Sequence, residues 1–222
     1  MIKNMKKKQL ILLAAIIIVF TAATFSQTPK SDVKNGSSDF LGVIDGEIYQ
    51  NKFFDFQIRI PSTWHVADGG TADLLREAGE QALKSNNKSQ DAALERASLS
   101  EAILFTATET PIGTVPTGMV IISVQKQPGP QITAGMVMSA SLKVLLASPK
   151  IELIQGSRAV KLGGRPASMV ELLIGSGEGK MNQQLFVTMI NGYAVSVGIA
   201  YSGNSSRIQA EKILQTLEFG GK

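Results

Sequence analysis

Asn191-Gly192 lies between two apolar runs, Gln184–Ile190 and Tyr193–Tyr201, and no other phrase in the chain limits the fold as much. Both residues tolerate the positive φ that a two-residue type I′ turn demands, so the flanking runs are predicted to fold back as antiparallel strands. Ala159–Leu162 and Ala167–Ile174 read as strands before this hairpin. Ile103–Thr108 and Met119–Gln125 read as strands further upstream, the latter dense in β-branched residues. Phe54 to Ile60 alternates apolar and polar side chains, which puts Phe54, Phe56, Ile58 and Ile60 on one face of a half-buried strand. Pro61 ends it.

Helical spacing occupies the intervals. Ile132 to Leu146 repeats through Met136, Leu142 and Leu145, and a closing helix is marked by Ile208, Ile213, Leu214 and Leu217. The methionines Met119, Met136, Met138, Met181 and Met189 fall on apolar elements and read as core filler. After Gly69-Gly70, Thr71 is a sound N-cap for a segment whose stripe is Leu74, Leu75, Ala78, Ala82 and Leu83. A weaker, alanine-rich half follows to Leu99. Consecutive antiparallel strands flanked by helices predict an α+β fold rather than a parallel, doubly wound sheet.

The N-terminus has a different character. Lys3, Lys6, Lys7 and Lys8 precede an apolar run from Leu10 to Phe20, and small or polar residues follow to Ser26. A basic head, a short apolar core and a small-residue exit make residues 1–26 a secretory signal peptide. The lysines stay cytoplasmic, so the remainder is expected outside the cytoplasm, in the periplasm or secreted. The short apolar core favours cleavage, giving a mature chain that begins near Thr24 or Gln27. The alternative is an uncleaved single-pass anchor with the domain outside. Residues 27–45, rich in Ser, Lys, Asp and Gly, read as a flexible tether, and 46–222 as the folded domain.

Export corrects the charge. All of the formal excess of +4 lies in the leading lysines, since the remaining 18 basic residues equal the 18 acidic ones. A neutral mature chain lacks the electrostatic footprint of a nucleic-acid or anionic-lipid binder, so the membrane is expected to be met only through the signal segment. The chain has no cysteine, which excludes disulfides, a lipid-modified N-terminal cysteine and thiol chemistry. His65 is the only histidine, so no metal site and no bound cofactor is expected.

Three phrases carry a family resemblance. The first is Phe54–Ile60 followed by Pro61-Ser62-Thr63-Trp64. The second is Leu162-Gly163-Gly164-Arg165-Pro166-Ala167, and the third is Ile208–Leu217 followed by Glu218-Phe219. Together they resemble the PsbP-like family, whose namesake is an extrinsic subunit of photosystem II, over most of Gly46 to Phe219. The resemblance implies an α/β/α sandwich around a central antiparallel sheet, and roles in binding or assembly rather than catalysis. Two features depart from it: the missing lipobox cysteine and the size of the Thr71–Leu99 segment.

Candidate chemistry is sparse. In Gly175 to Lys180 three residues, not the four of a phosphate loop, separate Gly175 from Gly179, and Met181 stands where Ser or Thr is needed. It reads as a hairpin loop. No G-x-S-x-G elbow accompanies His65, which is expected partly exposed beside Trp64, a core anchor. Recognition is assigned instead to the helical segment, with Arg76, Glu80, Lys84, Ala93, Ala97 and Leu99 as partner-binding residues. The expected protein is thus a non-enzymatic, exported binding or assembly domain acting on a protein partner in the cell envelope. Its rivals are a small-ligand carrier and an envelope hydrolase whose site the sequence does not reveal.

Overall fold

The computed structural model describes residues 38–67, 101–111, 114, 117–175 and 180–220. Elements numbered in chain order are α1 (Ser38–Leu41), β1 (Val43–Asp45), β2 (Ile48–Asn51), β3 (Phe56–Arg59), β4 (His65–Val66), β5 (Glu101–Thr108) and β6 (Gly118–Lys126). Then come α2 (Ala134–Leu145), β7 (Ile151–Leu162), β8 (Arg165–Ile174), β9 (Met181–Ile190), β10 (Tyr193–Tyr201), α3 (Asn204–Gln215) and β11 (Glu218–Phe219).

The strands form two antiparallel sheets. A seven-stranded sheet runs β4-β5-β6-β10-β9-β8-β7, and a four-stranded one runs β1-β2-β3-β11. The α+β expectation holds, and the hairpin that anchored it is present: Tyr193 pairs with Ile190 across a turn whose Asn191 and Gly192 have φ of 51° and 77°. The N-terminal hairpin closes a small sheet of its own with the last strand, where Phe219 pairs with Phe56.

Alternation in the strands divides the large sheet into two buried faces. Phe105, Ile122, Val195, Val197 and Phe186 point to the front, where the small sheet (Tyr49, Phe56, Ile58) and α3 (Ala210, Ile213) cover them. Val170, Leu172, Leu185 and Val187 point to the back, under Val137, Met138 and Leu145 of α2. Helix and sheet thus lie on either side of a central sheet. The helix α2 starts cleanly because the Thr133 side chain accepts the Met136 N–H.

Four expectations need correction. The folded part begins at Ser38, inside the stretch read as tether. Asn51 holds it there: its Nδ2 donates to Phe40 O at 2.8 Å, and Tyr49 Oη donates to Leu41 O at 2.6 Å. Gly42 links these with φ of 74°, and a Cβ there would meet Tyr49 Oη at 2.6 Å. Second, Met136 is exposed, because α2 turns Val137, Met138 and Ser141 inward instead. Third, Ile208 is exposed, and α3 buries Ser206, Ala210 and Ile213. Fourth, β7 starts at Ile151, well before the expected Ala159. Trp64 is buried, as expected, while His65 beside it is exposed.

Candidate functional site

The six partner-binding residues read from the sequence, Arg76, Glu80, Lys84, Ala93, Ala97 and Leu99, lie outside the described residues. So does 176–179 of the glycine-rich segment. The strands that flank that segment pair antiparallel through Ile174 and Met181, which makes it a hairpin connection.

Polar groups around Trp64 form one chain. The indole Nε1 donates to Gln209 Oε1 at 3.4 Å, and Gln209 Nε2 donates to Glu109 Oε1 at 2.9 Å. The other carboxylate oxygen, Oε2, accepts from Thr117 Oγ1 at 2.7 Å. Both oxygens of Glu109 are therefore occupied, and the chain ties β4, β5 and α3 together. Its geometry is that of a structural clamp. Among the described residues no cluster of three or more His, Asp or Glu side chains has the geometry to hold a metal ion.

Among the described residues, Tyr49 has the most strongly shifted titrating group. Burial pushes its phenol up to about 12, against a smaller opposing contribution from the Asn51 amide. A raised folded pKa means that the folded state keeps its proton where the unfolded chain has lost it. Stability from this group is complete below about pH 10 and is lost as pH rises toward 12, by about 3 kcal/mol in all. Urea titrations at stepped pH should show this loss, and Tyr49→Phe should flatten it. Tyr201, also raised chiefly by burial and then by Glu171 and Glu211, leaves a residual slope. An unchanged slope in Tyr49→Phe would reject the assignment.

The outward face of the small sheet is polar. Gln57 Nε2 donates to Glu218 Oε2 at 3.0 Å, beside an open hollow of about 250 Å³. Arg59 pairs with Glu47 at 3.6 Å, and the Ser62 N–H, then Arg59, hold the Glu47 carboxyl below its ordinary range. Both partners are solvated, so little stability rests on them.

The feature with the strongest bearing on recognition is β7. It is the last strand of the large sheet, twelve residues long, and Glu152 to Ala159 are exposed. Leu153 pairs with Leu172 and Gln155 with Glu171, which leaves Ile154 as an extra residue bulged from the ladder. A second irregularity falls between Gln155 and Arg158. Ile154 is 52% exposed and Leu153 41%, so two aliphatic side chains stand on an edge whose outer backbone groups face no further strand among the described residues. Arg158 bonds back to Glu171 at 3.6 Å. Beyond it the pairing is regular to Leu162. Sequence reasoning found only Ala159–Leu162 of this strand, since Glu152 to Arg158 shows no alternation to mark its first part. Its only signal was the pair Leu153-Ile154 before Gly156.

These features define an α+β domain with a central antiparallel sheet whose long edge strand β7 has no further neighbour among the described residues. Several solved structures are similar to it. Cyanobacterial PsbP (CyanoP) from Synechocystis sp. PCC 6803 is 12% identical, with 81% of this chain and 99% of that chain covered and a TM-score of 0.49. LpqN of Mycobacterium tuberculosis, described as involved in cell envelope biogenesis, is 13% identical over 75% of this chain and 83% of its own, at 0.44. The Saccharomyces cerevisiae Ran-binding protein Mog1p is 7% identical over 80% and 96%, at 0.41. A cyanobacterial PsbP thus stands among the solved structures that this chain is similar to. No family model matches the chain, and no curated protein matches it significantly.

Proposed function

We propose that the chain is an exported, non-enzymatic binding or assembly domain that recognises a protein partner in the cell envelope, and that β7 is its recognition edge. The observation that carries this reading is the combination of an open edge with the bulged, half-exposed Ile154. An incoming segment gains main-chain hydrogen bonds along Arg158–Leu162, where the ladder is regular, and an apolar contact at Leu153 and Ile154. The two irregularities limit promiscuous pairing, as bulges do on natural edges. The export reading is supported by the lysine head and apolar core of residues 1–26.

A photo-crosslinking residue placed at Ile154 in intact cells tests the reading. A discrete, reproducible protein adduct is expected, absent when the residue is placed at exposed Gln57 on the small sheet. Equal labelling at both positions rejects β7 as the edge. Ile154→Lys should remove the partner without lowering the melting temperature by more than a degree or two, because an exposed side chain contributes little to the core.

A second reading, a small-ligand carrier, draws on one observation. Thr106 Oγ1 and Ser196 Oγ, both on the back face of the large sheet, are buried without a hydrogen-bond partner. Buried hydroxyls are usually satisfied. Native mass spectrometry of the purified protein decides it: an added small-molecule mass supports the carrier, and a bare chain rejects it.

A further inference from the structure

The back face of the large sheet changes chemistry at β10. Under α2, which packs on β7, β8 and β9, it is apolar, with Val170, Leu172, Leu185 and Val187. Toward β5, polar side chains are buried among the apolar ones: Thr106, Ser123 and Ser196 are only 1–3% exposed. Ser196 pairs with Ser123, and Thr106 with Ile121, so the three point the same way. Nearby Thr108 is satisfied, since its hydroxyl donates to Thr110 O at 2.7 Å. Thr106 Oγ1 and Ser196 Oγ have no hydrogen-bond partner. Two such hydroxyls close together on one face are costly to the fold and unusual in a native structure.

The strand that carries Ser196 is bare on this side. Ala194, Ser196, Gly198 and Ala200 alternate toward the back, so nothing larger than a serine rises from β10 over about 20 Å of its length. At its middle a Cβ on Gly198 would stand 3.0 Å from Ile121 Cγ2 and 3.4 Å from Gln183 Nε2, so a methyl group there would press on both. Met119 and Met181 cluster with Ile121 and Ala200 at one end of the strip, and flexible thioethers adapt to what they touch. The back-facing residues of β6, β10 and β9 include no ionisable side chain. A charge buried there would lack a counter-charge, which selects for a neutral ligand.

We propose that this strip binds a neutral, flat molecule with carbonyl oxygens, which lies over β10 and accepts hydrogen bonds from the Ser196 and Thr106 hydroxyls. The two residues stand two strands and two residues apart, roughly 12 Å between Cα atoms, so the molecule has the span of a fused-ring compound with an acceptor at each end. The line between them crosses β6 between Ile121 and the small Ser123. The inference rests on the carrier reading, for which it names the site and the ligand class, and it makes no use of β7.

The full chain, purified from its own cells, is weighed by native mass spectrometry before and after addition of Nile red, a neutral, flat dye with a ring carbonyl. One dye molecule should bind and displace the co-purified mass. Thr106→Val with Ser196→Ala removes both hydroxyls at nearly constant volume and should weaken Nile red binding about ten-fold, as the loss of two hydrogen bonds implies. The same double substitution should melt at or above the native temperature, because each change removes a buried polar atom that has no partner. A chain that is bare as purified overturns the carrier reading and this site with it. A co-purified mass that Nile red does not displace overturns the ligand class. Equal dye binding by the native and doubly substituted chains overturns the site alone and leaves the carrier reading standing. A doubly substituted chain that melts several degrees lower shows the hydroxyls to be satisfied within the fold, and overturns the site as well.

Discussion

Replacing Trp64 with Ala is expected to destabilise the domain by about 3–5 kcal/mol, the range for a large aromatic removed from a core. Trp64 is 5% exposed and packs in the front cluster with residues of both sheets and α3. It also stands at the head of the Gln209–Glu109–Thr117 chain. The two contributions separate by substitution. Trp64→Phe keeps an apolar ring and removes only the indole N–H, whose bond to Gln209 is long at 3.4 Å. It should therefore lose about 1–2 kcal/mol, a modest hydrogen bond together with some packing. Urea unfolding followed by far-ultraviolet dichroism measures both variants. A Trp64→Ala protein that unfolds at the native midpoint would show that the indole does not hold the sandwich together.

The clamp explains why β4 is placed at all. Two residues, His65 and Val66, pair with Thr108 and Ala107 and are themselves exposed, so the strand has no burial of its own to define it. Its position follows from Trp64, anchored just before it, and from the Trp64 N–H bonded to Pro61 O at 2.9 Å. His65 at this solvated edge is oriented by backbone pairing.

Legibility in the sequence followed burial. Where a strand has one face in the core, a period of two is imposed by physics, and Phe56 and Ile58 of β3 displayed it plainly, with Phe54 and Ile60 buried just outside the strand. Tyr193–Tyr201 was legible for another reason: both of its faces are covered, so it reads as an apolar run bounded by turns. The first half of β7 was invisible, because it is exposed on both faces and bulged twice, so neither alternation nor an apolar run is required. The start of the domain was hidden in polar composition. Its few apolar residues are organised by Asn51 and Tyr49, partners that no periodicity reveals. In α2 and α3 the stripe was right at Leu145, Ile213 and Leu217 and wrong at its first residue. Small side chains such as Ser141 and Ala210 lie against the sheet, where close approach matters more than hydrophobicity, and Met136 and Ile208 are turned to solvent. The proposed recognition edge is this same part of β7, legible only once the register is known.

Adjacent phenylalanines provide the sharpest contrast in the molecule. Phe54 is 0% exposed, whereas Phe53 is 41% exposed. Phe54 is ringed edge-on by Phe40 at 5.5 Å, Phe53 at 4.8 Å and Tyr193 at 5.3 Å, and its N–H donates to Asn51 Oδ1 at 2.9 Å. Phe54→Ala opens a cavity where the small sheet, α1 and the β9–β10 turn meet, and should lose about 3–5 kcal/mol. The loss should extend to α1, since Phe40 would lose one of its three ring contacts, and amide exchange in 38–45 should accelerate. Phe53→Ala removes a ring that is already half in water and should lose about 1 kcal/mol or less. Thermal melts of the two variants, compared with the native chain, measure the difference. Equal losses would mean that the two rings are buried alike.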